Sequence, residues 1–469
     1  MEPFDYRLSR SEFLKKAVRN KSVLPFVYCY PLRTAYTRFE SPTNLQDVWI
    51  ADSLHNPDLN IYIHIPFCAY KCSFCNLFTV TTSTTEPDLF KAYIEMVQQD
   101  LRKLAPSLIG RKVRSVYFGG GTPFVVGIEL LVSLLESLAD VFPDFPASAE
   151  EVTVEATPDA VVGEKDRLAT LITAGVNRVS IGAQSLNDWE LLKAGRGRAR
   201  SSVILEAIGL LRSAGVSNID VDMIVGLEGQ TDVSLVQSID ALLETLPETI
   251  SVYPISPRRG TRLVRGRSSF ATPDVTVVER LKAVSERLRY AGYVRDTSIQ
   301  YKLPGKGGFL QKRLYFKGVS VLGLGVGARS YTATVDYLTG GGASSNRAVL
   351  AAYLQNGGMK PISGIRITSD EAERRSLILG LLDMHIDGIP RAQDGSWKEP
   401  YRAVLKTALD LGLLEEVDAR LSPTELGYLH RDAMCWALFS AKVLRRHAFN
   451  GKDYLDSQRF LSVDQLEIS

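Results

Sequence analysis

Cysteine and histidine are scarce in this chain of 469 residues, which contains five of each. Five cysteines in a chain of this length are an odd and sparse set, which argues against the disulfide framework of a small secreted domain. Residues 1–7 carry alternating charges rather than the apolar core of a signal peptide. No apolar run of about 18 residues occurs, which argues against a membrane-spanning helix. The 55 Lys and Arg residues nearly balance 53 Asp and Glu residues, so the overall charge calls for neither nucleic acid nor an anionic membrane. We therefore expect a soluble, cytoplasmic protein.

The middle of the chain alternates β-branched runs with amphipathic segments whose apolar residues recur at helical spacing. Such alternation implies right-handed crossovers and a parallel sheet. Six units are enough for a curved, incomplete α/β barrel of the (β/α)6 type. The predicted strands are residues 59–66, 113–118, 150–156, 178–183, 218–225 and 249–255.

Three of the five cysteines lie in one short run, Cys68-Ala-Tyr-Lys-Cys72-Ser-Phe-Cys75, with the spacing C-x3-C-x2-C. Three thiolates would ligate a 4Fe-4S cluster and leave one iron open to the amino and carboxylate groups of S-adenosylmethionine (SAM). The alternative, a structural zinc site, needs a fourth ligand, and the candidate His64 lies on the strand before the loop. The run therefore predicts a reductive radical generator at the carboxyl edge of the sheet.

The later strands end in groups suited to holding SAM. The second strand runs into Gly119-Gly120-Gly121-Thr122, whose glycines allow a ligand to approach the backbone. The next three strands bring one amide or carboxylate each, namely Glu155, Gln184 and Asp222. Arg196 could pair with the methionyl carboxylate through its guanidinium fork. The alternatives are an ordinary tight turn for the glycines and a surface position for Arg196.

Together these motifs resemble the radical SAM superfamily, and within it the branch built around oxygen-independent coproporphyrinogen III oxidase. The resemblance spans about residues 25–335 and continues more weakly to about residue 440. It implies that Cys68, Cys72 and Cys75 ligate the cluster, that Phe74 covers it, and that Tyr62 lies close to the cluster and SAM. It further implies that SAM is bound by the glycine run with Thr122 and by Glu155, Gln184, Arg196 and Asp222.

Two departures from the porphyrin-directed members bear on the substrate. Leu77 stands where the coproporphyrinogen oxidase pattern has an extra cysteine. Residues 310–316 contain no histidine, whereas related heme chaperones carry a His-Asn-x-x-Tyr-Trp segment there. None of the five histidines lies between residues 65 and 384. These departures favour the class C radical SAM methyltransferases and cyclopropanases of natural-product and antibiotic biosynthesis.

Resemblance to that class implies a C-methyltransferase or cyclopropanase that uses two SAM molecules and attacks an unsaturated or aromatic carbon. The second SAM would lie at the glycine-rich stretch around Gly325 and Gly327, for which a strand bent by close packing is the alternative. The expected partners are a small-molecule substrate, an electron donor such as flavodoxin or ferredoxin, and a pathway methyltransferase. The alternative functions are a porphyrin-directed radical enzyme, of the coproporphyrinogen III dehydrogenase or heme-modifying type, and a heme chaperone.

Beyond the barrel the pattern becomes mainly helical. Residues 336–346 predict a loop, and Thr368-Ser-Asp-Glu predicts a helix start. A short hairpin near residues 413–421 followed by a helix is typical of a winged-helix unit, but its acidic residues would repel nucleic acid. The predicted domains are an N-terminal segment closing the barrel (1–57), the barrel (58–300), a barrel extension and linker (301–364), a winged-helix-like domain (365–446) and a tail (447–469).

Overall fold

The computed structural model of the chain describes residues 8–41, 43–82, 86–256, 261–264, 274–340, 345–418 and 420–450. The predicted tail lies outside the described residues from residue 451 onward, and so do two glycines of the predicted loop, Gly341 and Gly342. In the described ranges, no helix combines the length and the apolar character that crossing a membrane requires.

The N-terminal part contains two α-helices of 10 and 9 residues, a 3-10 helix at Arg33–Ala35 and a two-residue strand. Helix α1 begins at a capping box, in which Ser9 and Glu12 satisfy each other's backbone N–H groups. The elements are α1 (Arg10–Arg19), β1 (Thr37–Arg38) and α2 (Leu45–Ser53).

The barrel follows, and the six predicted strands are confirmed with shifts of one or two residues at their ends. Helices separate them, as the apolar periodicity predicts. The elements are β2 (Asp58–Ile65), β3 (Phe67–Cys68), β4 (Val80–Thr81), α3 (Pro87–Leu104), β5 (Lys112–Gly120), α4 (Ile128–Val141), β6 (Glu151–Ala156), α5 (Pro158–Gly163), α6 (Leu168–Thr173), β7 (Arg178–Gln184), α7 (Asp188–Lys193), α8 (Ser201–Ser213), β8 (Asn218–Val225), α9 (Asp232–Leu243) and β9 (Thr249–Pro254).

The sheet extends beyond the six predicted strands at both edges. The next elements are α10 (Asp274–Tyr290), β10 (Val294–Arg295), β11 (Gln300–Lys302), α11 (Leu310–Phe316) and β12 (Ser320–Leu324). The strand order is β10-β11-β9-β8-β7-β6-β5-β2-β12. Strand β12 pairs in parallel with β2, while β11 pairs antiparallel with β9. The carboxyl ends of the central parallel strands therefore meet at one edge, where the cysteine loop begins.

The C-terminal part is helical with two small antiparallel sheets. Its elements are β13 (Arg329–Ser330), β14 (Val335–Thr339), α12 (Asn346–Gln355), β15 (Pro361–Arg366), α13 (Ser369–Leu382), α14 (Tyr401–Asp410), β16 (Leu414–Val417), β17 (Arg420–Pro423), α15 (Glu425–Leu429), α16 (Arg431–Leu438) and α17 (Ala441–Asn450). The predicted helix start is confirmed, because the Thr368 side chain accepts from the Glu371 N–H. Strands β16 and β17 form a hairpin before α15, and the winged-helix label stays a prediction.

The loop predicted over residues 336–346 is wrong in its first part. Asp336 to Thr339 belong to β14, which pairs antiparallel with β15. Aspartate is depleted in β-strands, so an aspartate whose carboxylate has no partner argues against a strand. Here the fully buried Asp336 carboxylate accepts from Arg375 at 2.6 Å, a residue 39 positions away, so the local sequence could not reveal the strand.

Two large hydrophobic cores divide the molecule. The first lies between the barrel sheet and its surrounding helices, with Ile63, Phe118 and Ile181 among its members. The second joins the N-terminal segment to the C-terminal helices, so that Leu14 and Tyr30 share a core with Leu377. The predicted domain boundaries themselves stay a prediction.

Candidate active site

The cysteine loop leaves the end of β2 and is held against the glycine run at the end of β5. The Thr122 N–H donates to the Phe67 carbonyl at 2.7 Å. A Cβ atom placed on Gly121 would lie 2.3 Å from that carbonyl oxygen and 3.0 Å from Cys68 Sγ. Because no side chain fits there, the glycine lets two backbone segments meet beside the first cysteine.

The three thiols of the loop fit an iron–sulfur cluster better than a single ion. Burial, with smaller contributions from the neighbouring Cys75 and Cys72, raises the pKa of Cys68 to about 12, against the lowering effect of the Thr122 hydroxyl. Among the described residues, no three His, Cys, Asp or Glu side chains converge on one metal position. A four-iron cluster is wider than a single ion, so its three cysteine ligands need not converge on one point. Bonding to iron also deprotonates the buried thiols, which would otherwise stay protonated.

His64 is not placed as a zinc ligand, the alternative weighed from the sequence. Its Nε2 lies 2.9 Å from the Phe78 carbonyl oxygen, and its Nδ1 lies 3.1 Å from Tyr62 Oη. Because a carbonyl only accepts, Nε2 carries the proton and Nδ1 accepts from Tyr62. Burial lowers the pKa of His64 to about 4, so the ring is neutral at physiological pH. His64 therefore ties the far end of the cysteine loop to β2, a role that sequence reasoning missed.

Glu155 lies against the glycine run, as the sequence predicts. It accepts from Tyr117 Oη at 2.7 Å and from the Gly120 N–H at 3.0 Å. A Cβ atom on Gly119 would lie 3.1 Å from the Glu155 carboxyl carbon. Burial raises the pKa of Glu155. A buried carboxylate in this position is suited to a cationic group, and its assignment to the amino group of SAM stays a prediction.

Arg196 joins the cysteine loop to the end of β7. It is 3% exposed, so the surface alternative is wrong. Its Nη1 donates to Cys72 Sγ at 3.2 Å and its Nη2 donates to the Gly182 carbonyl. Its Nε is buried and has no hydrogen-bond partner among the residues that the structure describes. An orphaned guanidinium N–H beside the thiols is what a bound SAM carboxylate would satisfy.

Gln184 ends β7, and Asp222 lies within the neighbouring strand β8. Gln184 adopts a left-handed φ of 74°, a strained conformation for a residue with a side chain. Its amide nitrogen lies 2.8 Å from the position that a Cβ atom on Gly182 would take. Asp222 accepts only weakly from Ser180 Oγ at 3.3 Å, whereas the adjacent Asp220 is paired with Arg178. Burial, then Asp220 and Glu155, raise the pKa of Asp222 well above its ordinary value.

We expect Asp222→Asn to stabilise the protein while weakening SAM binding. A carboxylate whose folded pKa is raised binds a proton more readily in the folded state, so stability falls as pH rises above the ordinary value near 3.8. The gain should be roughly 1–3 kcal/mol near neutral pH and should vanish near pH 4. Thermal unfolding against pH measures it. Asp240→Asn, which removes an exposed partner of Arg287, should change little, and a lower midpoint for Asp222→Asn at neutral pH would contradict the expectation.

The remaining predicted site residues lie in apolar surroundings. Phe74 packs on Ile224, Leu227 and Ile255 beside the loop. The space next to Gly325 is filled by Tyr93, whose Oη would lie 2.4 Å from a Cβ atom there, and Phe78 fills the space next to Gly327 at 2.9 Å. These contacts favour the close-packing alternative for both glycines, and their assignment to a second SAM stays a prediction.

An aromatic row that the sequence reasoning missed contacts Glu155 through its middle ring, Tyr117. Tyr62 stacks on Tyr117 with ring centroids 5.9 Å apart, and Tyr117 stacks on Phe309 at 5.0 Å. The Lys312 ammonium lies 5.9 Å from the Phe309 ring and 6.0 Å from the Tyr253 ring. Only the abundance of tyrosine could have signalled this surface, because its members are up to 250 positions apart along the chain.

Comparison with known proteins agrees with this geometry. The model of the radical SAM superfamily matches residues 62–242. The heme chaperone HemW of Mycobacterium tuberculosis is 31% identical over 386 residues, which cover 80% of this chain and 93% of HemW. The oxygen-independent coproporphyrinogen-III oxidase-like protein HemZ of Bacillus subtilis is 28% identical over 289 residues, covering 58% of this chain and 57% of HemZ.

One solved structure has the same fold over most of the chain. Coproporphyrinogen III oxidase (HemN) from Escherichia coli superposes with a TM-score of 0.73 at 22% identity, covering 88% of this chain and 96% of that one. A partial parallel barrel with three cysteines on the loop after its first strand defines a protein that binds a 4Fe-4S cluster and SAM. The chain belongs to the radical SAM superfamily, among the coproporphyrinogen oxidase-like proteins that include HemW, HemN and HemZ.

The expectation of methyl transfer or cyclopropane formation in natural-product biosynthesis is wrong. It depended on two local departures, at Leu77 and in residues 310–316. The similarity to HemW instead extends over 386 residues, and the relatives named here are a heme chaperone and coproporphyrinogen oxidase-like proteins. The pathway methyltransferase expected as a partner falls with that interpretation. Membership of the superfamily still implies a 4Fe-4S cluster, SAM and an electron donor.

Proposed function

We propose that the chain is a radical SAM enzyme that removes a hydrogen atom from a carboxylated tetrapyrrole, as a porphyrin-directed enzyme of the coproporphyrinogen oxidase type. The observation that carries this proposal is the aromatic row of Tyr62, Tyr117 and Phe309 with Lys312 beside it. The middle ring of the row, Tyr117, donates to Glu155, where the cationic end of SAM is expected. A ligand made of pyrrole rings with acidic side chains matches such a surface in aromatic character and in charge.

The stacking geometry supports a ligand that contains aromatic rings. The Tyr62 and Tyr117 rings are inclined by 20°, and the Tyr117 and Phe309 rings by 26°. Stacked rings cover one another's faces, and the Arg178 guanidinium lies 4.3 Å from the Phe309 centroid, so a ring of the ligand would extend the stack at its Tyr62 end. Burial lowers the pKa of Lys312 to about 8, against the opposing effect of Asp220 and Asp222. A substrate carboxylate next to Lys312 would favour its charged form and contribute to binding.

The residues of the chain divide the work of the proposed reaction. When bound, the cluster supplies an electron that cleaves SAM and so generates the 5′-deoxyadenosyl radical. Cys68, Cys72 and Cys75 hold the cluster, and Glu155 and Arg196 fix the methionyl end of SAM. Because a primary alkyl radical attacks almost any C–H bond, the substrate carbon must be held close and water excluded. The buried row of tyrosines meets both requirements.

The proposal includes flavodoxin or ferredoxin as electron donor and a cytoplasmic location, where an oxygen-sensitive cluster is protected. It requires one SAM per hydrogen abstraction. A second SAM stays a prediction from the sequence, and equilibrium binding with radiolabelled SAM would count the molecules bound.

A heme chaperone is the second candidate, and the similarity to HemW over 93% of its length favours it. The absence of histidine between residues 65 and 384 weighs against it, because an axial heme ligand from that region, which contains most of the barrel, would have to be another residue. Glu155 and Arg196, the charged groups described beside the cysteine loop, also favour SAM cleavage over storage of heme.

Anaerobic turnover with methyl-deuterated SAM, reductant and coproporphyrinogen III tests the proposal. We expect 5′-deoxyadenosine without deuterium, formed only when the porphyrinogen is present, because the hydrogen comes from the substrate. Deuterium in the product would mean that a SAM methyl group is the donor and would overturn the proposal. Heme added to the same preparation separates the second candidate, since a chaperone shows a stoichiometric Soret shift without substrate-dependent SAM cleavage.

A further inference from the structure

Arg329 is half-buried and, like Arg196, differs in its partners from most arginines inside the molecule. It begins β13, which follows β12 at the edge of the barrel sheet. Arg111, Arg178 and Arg375 each pair with a buried aspartate. Within the described ranges, Arg329 forms no ion pair. An enclosed guanidinium without a carboxylate loses hydration that nothing in the chain replaces.

Aromatic residues enclose this guanidinium. Its Nη2 donates to Tyr28 Oη at 2.6 Å, and its Nη1 donates to Cys29 Sγ at 3.5 Å. The Tyr28 ring centroid lies 4.9 Å from the guanidinium carbon, and that of Tyr331 lies 5.6 Å away. These contacts fix the plane of the guanidinium, while its other N–H groups form no hydrogen bond that the structure shows.

The cage lies beside Tyr62, because Gly323 pairs with Tyr62 between β12 and β2 and a Cβ atom on Gly323 would lie 2.4 Å from the Arg329 carbonyl oxygen. Burial raises the pKa of Tyr62 well above its ordinary value, and the positive charge of Arg329 opposes that rise. Burial lowers the pKa of His64, and the charge of Arg329 lowers it further in the same direction. Phe26 continues the wall, stacking on Tyr28 at 6.0 Å and meeting Tyr253 edge-on at 6.0 Å. A chain of ring contacts through Tyr28, Phe26 and Tyr253 therefore leads from Arg329 to Lys312.

We propose that Arg329, held in the cage of Tyr28 and Tyr331, binds a carboxylate of the substrate. This inference rests on the proposed function and adds to it a residue that selects acidic side chains. A guanidinium fork recognises a carboxylate through two parallel hydrogen bonds, and aromatic walls strengthen them by excluding water. With Lys312, it would engage acidic groups on two sides of one macrocycle.

Binding of coproporphyrin III and of its tetramethyl ester, followed by fluorescence quenching, tests the inference. We expect the native protein to bind the acid at least tenfold more tightly than the ester, and Arg329→Gln to bring the two affinities together. Arg329→Lys should keep part of the preference, because it retains the charge and loses the fork. Arg287→Gln removes an exposed arginine on α10 and should leave the preference intact.

Iron content and thermal unfolding show whether each variant folds. If Arg329→Gln does not fold, the preference of Arg329→Lys for the acid over the ester tests the inference instead. If the native protein prefers the acid and the folded Arg329 variants retain the full preference, the inference is wrong while the proposed function stands. If the native protein binds neither porphyrin, the proposed function fails. In that case the affinities of the native protein for 4-phenylbutyrate and 4-phenylbutyramide are compared. A preference for the acid that Arg329→Gln removes supports the carboxylate site, and equal binding of the two probes overturns it.

Discussion

Replacing Cys68, Cys72 or Cys75 by alanine, one at a time, should abolish iron loading and SAM cleavage. The cluster needs three thiolates, and the other two cysteines of the chain, Cys29 and Cys435, lie in the second hydrophobic core. Two thiolates leave two irons without protein ligands, and such a cluster is lost from the protein. Iron and sulfide content after anaerobic reconstitution, with the absorbance near 410 nm, measures the effect independently of activity.

Cys435→Ala is the matched control, because Cys435 is fully buried on α16 and distant in sequence from the loop. It should load iron as the native chain does, with a modest loss of stability from the small cavity. Cys29→Ala is expected to load iron as well, but Cys29 accepts a hydrogen bond from Arg329, so its effect on substrate binding would be harder to interpret. Full iron content in any one of the three loop variants would remove that cysteine from the ligand set.

Gly121→Ala should prevent cluster loading almost as completely as loss of a cysteine, although it removes no ligand. The added Cβ would lie 2.3 Å from the Phe67 carbonyl oxygen, which is a backbone atom that cannot rotate away. The end of β5 and the cysteine loop must then separate, and the Thr122 N–H loses its bond to Phe67. We expect at least a tenfold loss of bound iron, measured on protein that still unfolds cooperatively.

Gly163→Ala provides the comparison, because it lies at the end of α5 with no atom within 4 Å of the added Cβ. It should leave iron content unchanged and raise stability slightly, since alanine favours a helix over glycine. Native iron content in Gly121→Ala would mean that the loop tolerates displacement. The glycine run would then have to be explained by a bound ligand instead of by backbone contact.

The parts of this molecule that could be predicted from sequence are those encoded by local spacing. Alternation of β-branched and amphipathic segments identified the six parallel strands, and the cysteine spacing identified the cluster loop. Strand β14 escaped prediction because the partner of Asp336 is Arg375, on a helix further along the chain. The same reason hid the cage of Arg329, whose partner Tyr28 is 301 positions away.

The functional interpretation failed where it gave local departures too much weight. Leu77 and residues 310–316 differ from the porphyrin-directed pattern. Residues 310–316 nevertheless contribute Lys312, which lies beside the aromatic row. A missing histidine or cysteine shows that one particular ligand is absent. It does not show which molecule the remaining surface binds, and that surface is formed only by the fold.

The second hydrophobic core sets an order of assembly. Tyr28 and Cys29 belong to the N-terminal segment, which packs on helices that begin only at Ser369. During synthesis the barrel strands leave the ribosome well before those helices, so a chain still being made can pair its parallel strands while the wall beside Arg329 is unfinished. Domains fold as their residues emerge. The wall beside Arg329 is therefore completed last, after the parallel strands of the barrel have paired.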